Sequence, residues 1–308
     1  MKRGRQCNRQ GRDQSQRGPS ARRTLAFILM LAAVAQPAWG WNSRTHQLIT
    51  RLAVAALPAI PLKTGFERNV AQLEEYSTEP DTVLRPQYGA AEGRRHYINL
   101  EYFGAEPFAN LHPDFAAMER RFGTRTLDRA GVLPWAIEAE AAATAAALRA
   151  GDCAGLLRHA GYLAHYVGDA SQPLHTTRFY DGFTAEDRGM HARLESAVDR
   201  RIREIEALAS AQVRWQPITS VWTPVVAELK ESNALIRQVV TADHTARAEA
   251  SHSHAAYTRA LMAIEQDLVV HQIATAASVL ASIWIYEDRQ AGAPVYASRP
   301  APERCDAS

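Results

Sequence analysis

The segment that most restricts how this chain can fold is His165-Tyr166-Val167-Gly168-Asp169-Ala170-Ser171-Gln172-Pro173-Leu174-His175, which puts three metal-ligand side chains within eleven residues. His165 and Asp169 are four apart, so on a helix they stack on one face. The preceding run from Cys153 to Tyr166 has helical spacing, with Leu156, Leu157, Ala160, Leu163, Ala164 and Val167 on one side. Asp152 stands where an N-cap would. Pro173 should stop the helix and push the residue before it towards extended geometry. His175 then comes from just past the helix end, back towards the same mouth. Ligands on a rigid element plus one from an adjoining turn is what a metal site needs.

A second pair lies downstream: His191 and Glu195, again four apart, open the run from Met190. Upstream, His96 stands in Arg95-His96-Tyr97-Ile98-Asn99, Asp81 follows Pro80, and Trp41-Asn42-Ser43-Arg44-Thr45-His46 supplies one more histidine. Any one of these, taken alone, reads as a surface or core residue. Two spaced pairs, an intervening histidine and further His and Asp residues in compatible order point to zinc ligation.

These residues carry a resemblance. With Leu133-Pro134-Trp135, Gln172-Pro173-Leu174-His175 and the stretch Ala277 to Arg289, the chain is similar to the bacterial zinc-dependent phospholipase C family. That family is related to the fungal and plant single-strand-specific zinc nucleases. The resemblance covers most of the chain after Gly40. It implies a single all-α domain around a trinuclear zinc site, and hydrolysis of a phosphodiester by a zinc-bound hydroxide. It also divides the ligands of three Zn2+ ions. One takes the Trp41 amine and carbonyl, His46 and Asp169. One takes Asp81, His96, His165 and Asp169, with Asp169 bridging the two. One takes His175, His191 and Glu195. Asp81 is then the candidate general base, or the group that orients the attacking water.

The first forty residues differ from the rest. They hold eight Lys and Arg against one acid, then the apolar run Leu25 to Ala35, then small residues at Ala38 and Gly40. This pattern reads as a signal peptide over 1–40, with export to the periplasm or medium. The apolar run is too short for a membrane anchor, which needs about 20 residues. Without the leader the net charge changes from +2 to −5. A chain of that charge has no general field for polyanions, which counts against broad nucleic-acid binding. No stable protein partner is implied; the partner is a phospholipid or nucleic-acid substrate. Cys153 and Cys305 remain after processing and can pair in an oxidising compartment.

The remainder reads as helices: Ser43 to Leu57, Thr64 to Tyr76, Pro113 to Phe122, Pro134 to Ala150, the central helix, Met190 to Gln212, Pro217 to Val240 and Ala250 to Glu287. Residues 77–111, rich in Pro and Gly, read mostly as loop, with metal as their tie to the central helix. The domain is expected over 41–288, and the Ala- and Pro-rich tail 289–308 reads as disordered. His112, His159, His244, His252, His254 and His271 lack partners at metal spacing and read as surface or packing residues. Arg94-Arg95 reads equally as a solvated pair or as a phosphate contact. Trp135 reads as a core aromatic, and Tyr97 as packing beside a ligand.

Three functions stay open. Glu195, with Gly189-Met190-His191 before it and Ala197-Val198-Asp199 after it, is similar to phospholipase C; the nucleases carry Asp at that place. The five-residue step from Trp41 to His46 is similar to the nucleases. The choline-phospholipid enzymes hold choline with an acidic residue three after the N-terminal Trp and with aromatics near the first Asp and second His. Arg44, Thr82 and Gly93 stand there, which counts against a phosphatidylcholine preference. The third reading is a non-catalytic exported zinc-binding protein.

Overall fold

The Gly151-Asp152 pair turns the chain back on itself and sets the centre of the fold. Gly151 closes α9 (Leu133–Ala150) in the left-handed conformation, with φ +68°. Asp152 then accepts from Gly155 N and starts α10 (Cys153–Ala170), as its position in the sequence suggests. The two helices run antiparallel, and α10 is buried nearly all round. This computed structural model describes Trp41 to Ala250 and Ser253 to Gly292. Residues 1–40, expected to be a leader, His252, and residues 293–308 of the expected tail lie outside the described residues.

Before α9 and α10 come α1 (Ser43–Ala56), α2 (Pro61–Arg68), α3 (Val70–Tyr76), the very short α4 (Arg85–Tyr88), α5 (Ala90–Gly93) and α6 (Pro107–Asn110), then α7 (Phe115–Phe122) and α8 (Thr124–Ala130); of these, α1 and α3 pack on α10. After it come α11 (Met190–Arg200), α12 (Ile202–Ala209), α13 (Trp222–Ala234), α14 (Ile236–Glu249) and the 37-residue α15 (His254–Gln290). No strand occurs among the described residues, so the protein is all-α. One apolar core spans the described helices, with Trp284 buried edge-on against Phe66 at 4.9 Å. By length and composition α15 is long and apolar enough to cross a bilayer, but 72% of its apolar window is buried in the protein. It is the core helix against which α1, α9, α10 and α14 pack.

Two glycines let other helices close on α10. A Cβ at Gly161 would overlap the Cβ of Tyr76 on α3, and one at Gly168 would lie 2.8 Å from His46 Nδ1 on α1. Being seven apart, they share one face of the helix. Gly161→Ala is therefore expected to destabilise the fold, although alanine gains ~1 kcal/mol of helix propensity. Overpacking of this kind costs about 1–3 kcal/mol, and larger side chains should cost more. A raised midpoint for Gly161→Ala in urea unfolding would contradict the close approach of α3.

Several expected elements differ. The run expected from Thr64 to Tyr76 is two helices, broken at Asn69, whose side chain donates to Gly65 O. The helix expected from Met190 to Gln212 breaks at Arg201, and the one from Pro217 to Val240 begins at Trp222 and breaks at Leu235. α10 ends at Ala170, three residues before Pro173, which instead opens a 3-10 turn, Pro173–Thr176.

The largest correction concerns 77–111. It is a chain of short turns: a π-helical turn at Pro80–Leu84, then α4 and α5, 3-10 turns at Arg94–His96 and Leu100–Phe103, and α6. Pro80, Pro86 and Pro107 start turns, where a missing N–H costs nothing. The segment is also tied down without metal: Ile98 N donates to His175 O at 2.8 Å and Val132 N to Arg94 O at 2.8 Å. Ile98, Leu100 and Phe103 are buried in the core. Cys153 is disulfide-bonded; Cys305, its expected partner, lies outside the described residues.

Candidate metal centre

Six parts of the chain meet at the C-terminal end of α10, that helix included. α10 itself supplies His165 and Asp169, and α1 supplies His46. The turn after Pro80 supplies Asp81, and the 3-10 turns supply His96 and His175. α11 supplies His191 and Glu195. All eight side chains are buried, Asp81 being the most exposed at 6%. Their donor atoms form three groups: His46 with His165 and Asp169; Asp81 with His96 and His165; and His175 with His191 and Glu195.

Asp169 stands between the groups. Its Oδ1 is 3.6 Å from His46 Nε2 and 3.4 Å from His175 Nδ1. Its Oδ2 is 3.1 Å from His96 Nδ1 and 3.3 Å from His165 Nε2. His165 also reaches both of the first two groups, its ring stacked on His46 at 3.9 Å. In the third group His175 Nε2 faces His191 Nε2 at 3.1 Å, and His191 Nε2 lies 2.6 Å from Glu195 Oε1.

This donor set fits zinc. Two nitrogens on one tetrahedral zinc, at about 2.0–2.1 Å each, stand about 3.3 Å apart, close to the spacings here. Neither ring nitrogen of His46 has a hydrogen-bond partner, nor does Asp169 Oδ1. Leaving such groups buried and unsatisfied costs about 1–3 kcal/mol each; a cation removes that cost.

The rings are held from behind. His165 Nδ1 donates to Ser77 O at 2.8 Å and His175 Nδ1 to His96 O at 2.5 Å, which leaves each Nε2 lone pair facing the centre. His96 is turned the other way: Nδ1 faces the centre and Nε2 lies 3.3 Å from Glu92 Oε1. Glu92 is buried and also accepts from the Tyr166 hydroxyl. Gln172 donates to Glu195 at 3.0 Å and accepts from Leu174 N. Trp41 is fully buried, its indole N–H donating to Ser171 Oγ at 3.0 Å, two residues beyond Asp169.

Charge inside the cluster is unevenly held in the absence of an ion. Burial, then neighbouring His165, pushes His46 well below the usual histidine range, and burial lowers His175 to about 4. Burial acts to raise Asp169, but the imidazoles of His165 and His175 outweigh it and hold the carboxyl well below its ordinary value. Burial raises Glu195 far above the carboxylate range, against the hydrogen bond from Gln172.

The supporting roles of Glu92, Gln172 and Ser77 are not read from the sequence, although Gln172 lies in the motif that carries the resemblance. Glu92 had a signal, since it lies four residues before His96. Of the residues with two readings, Arg95 is structural: it pairs with Glu140 at 2.5 Å and covers the Tyr166 ring. Arg94 pairs with Asp128 at the surface. His159 pairs with Glu140, His244 with Asp187 and His271 with Glu231, away from the centre. His254 is exposed at the start of α15. Trp135 is buried and donates to His112 O.

An all-helical scaffold that gathers eight buried imidazoles and carboxylates at one helix end is that of a zinc hydrolase. A family model for zinc dependent phospholipase C matches residues 45–254, and the chain belongs to that family. The match spans all eight side chains. No curated protein matches the sequence. Among solved structures, the alpha toxin from Clostridium absonum is similar at 15% identity and TM-score 0.48, over 83% of this chain and 65% of that one. So distant a likeness says nothing of the site.

Proposed function

We propose that this is an exported phospholipase C-type phosphodiesterase working with three Zn2+ ions. The observation that carries the reading is the Asp169 carboxylate, with imidazoles against both oxygens. His46, Asp169 and the main chain of Trp41 would hold one ion. Asp81, His96, His165 and Asp169 would hold a second, and His175, His191 and Glu195 a third. When bound, zinc supplies a Lewis acid and brings the pKa of water down to about 7.

The chain's own residues do the rest. Asp81 is the ligand that water reaches most easily, and its carboxylate orients the attacking water or takes its proton. Asp169 would be shared by the first two ions, its two oxygens facing His46 and His175 on one side and His96 and His165 on the other. Ser77, Glu92 and the His96 carbonyl orient ligand rings and Gln172 holds the Glu195 carboxylate, so that little reorganisation accompanies attack. The protein starting at Trp41, loaded with zinc, should hydrolyse phospholipids at the glycerol–phosphate ester. Parallel assays on mixed phospholipids and on single-stranded nucleic acid test this. Cleavage of nucleic acid alone would place the chain with the zinc nucleases, to which the Trp41 to His46 step is similar. Cleavage of neither would make it a zinc-binding protein only.

Processing after Gly40 is part of the proposal. An internal Trp41 offers an amide nitrogen, which does not bind zinc at neutral pH. A terminal Trp41 offers an amine with a pKa of about 7.7–8.0, which zinc can displace. Amine and carbonyl oxygen together close a five-membered chelate. Protein carrying one extra N-terminal residue should therefore hold one zinc fewer and turn over far more slowly. Equal zinc content and equal rates for the two forms would remove the N-terminus from the ligand set.

A further inference from the structure

The segment from Thr177 to Gly189, between the ligands of the third group, holds aromatic side chains that the fold does not bury. Tyr180 and Phe183 are 46% and 45% exposed. The Tyr180 ring lies 6.1 Å from that of His191, so this surface begins at the edge of the metal centre. Phe179 packs against Phe183 at 5.4 Å. Two exposed guanidiniums flank them: Arg178 over Phe179 at 4.7 Å and Arg237, from α14, over Phe183 at 5.6 Å.

The display is fixed in place. Glu101 accepts from the Thr177 hydroxyl and from Arg178 N. Asp181 accepts from Gly189 N at 2.9 Å and His191 N at 3.2 Å. Asp187, itself buried, accepts from Phe183 N at 2.8 Å and Thr184 N at 2.9 Å and pairs with His244 at 2.5 Å. Gly182, at φ +91°, is needed for this: a Cβ there would overlap that of Asp187. Three carboxylates and a glycine thus hold aromatic surface in water, where it gains none of the free energy of burial.

We propose that this segment is the surface by which the protein docks on a phospholipid interface, with Tyr180 and Phe183 entering the head-group layer beside the metal centre. The inference rests on the phospholipase reading, which puts the reacting phosphate at such an interface. Aromatic side chains settle at the level of the head groups, and Arg178 and Arg237 are placed to meet lipid phosphates. A chain with a net charge of −5 after Gly40 gets little adhesion from its overall field, so local aromatic contact supplies it.

The test uses the zinc-loaded protein from Trp41, as wild type and as Tyr180→Ser/Phe183→Ser, with each single change as a control and thermal melting to verify the fold. One arm measures co-sedimentation with vesicles of phosphatidylethanolamine and phosphatidylglycerol whose cleaved ester is replaced by a phosphonate. The other compares the rates on ordinary vesicles and on a dihexanoyl phospholipid kept monomeric. The double variant should bind vesicles about tenfold less, and its vesicle-to-monomer rate ratio should fall by a similar factor. Hydrolysis of both lipids with unchanged ratio and sedimentation would overturn the docking surface and leave the phospholipase reading intact. Sedimentation that depends on these aromatics, with no hydrolysis of any phospholipid by wild type, would overturn that reading and keep the docking surface. Loss confined to cleavage of single-stranded oligonucleotide would overturn the proposal and assign the aromatics to base stacking.

Discussion

Asp169→Asn is expected to leave the helix intact and empty the centre of at least one zinc, with activity falling by more than about 100-fold. Outer-shell partners of metal ligands already cost 10- to 100-fold when changed, and Asp169 is in direct contact with four of the imidazoles. Asparagine keeps the shape but loses the charge that would hold two cations close together. It also turns a carboxylate oxygen into an amide that competes as a donor for buried nitrogens. Metal analysis beside turnover on a phosphodiester checks this. Full zinc content with near-normal turnover would remove the bridge from the mechanism.

Chelation is expected to produce the largest change in stability. A ligand at a thousand times its Kd adds about 4 kcal/mol to the folded state. In a domain of this size that corresponds to about 10 °C or more in Tm. What remains after zinc removal is a buried set of groups with His46 unsatisfied. Proteolysis should not open the whole of 77–111. The part with Ile98, Leu100 and Phe103 is held by core packing and by bonds to His175, Ala130 and Arg129. The turns from Pro80 to Gly93, whose tie to α10 runs through Asp81 and Glu92, should become the cut sites. Equal protection across the segment, at an unchanged Tm, would mean that metal adds nothing to the fold.

The site was more legible in the sequence than the fold around it. His165/Asp169 and His191/Glu195 announce themselves through a spacing of four, which a helix converts directly into a shared face. Their chemistry is local, so a local pattern suffices. The helix breaks at Asn69, Arg201 and Leu235 leave no Pro or Gly at the break, and hydrophobic periodicity runs on across them. The turns over 77–111 are too short for a periodic signal, although their prolines mark where they begin. Glu92 meets Tyr166 and Gln172 meets Glu195 across long stretches of chain, and only the fold shows those contacts.

The link between His96 and His175 runs in both directions. The side chain of His175 donates to the carbonyl of His96, and the carbonyl of His175 accepts from Ile98, two residues on. Backbone therefore joins the second and third ligand groups before any ion arrives. For a chain that must take up its metal after folding, this separates two tasks. Folding brings the imidazoles together, and the arriving ion has only to shed its water. Metal uptake then becomes an encounter with a site whose imidazoles are already gathered, not the step that folds them into place.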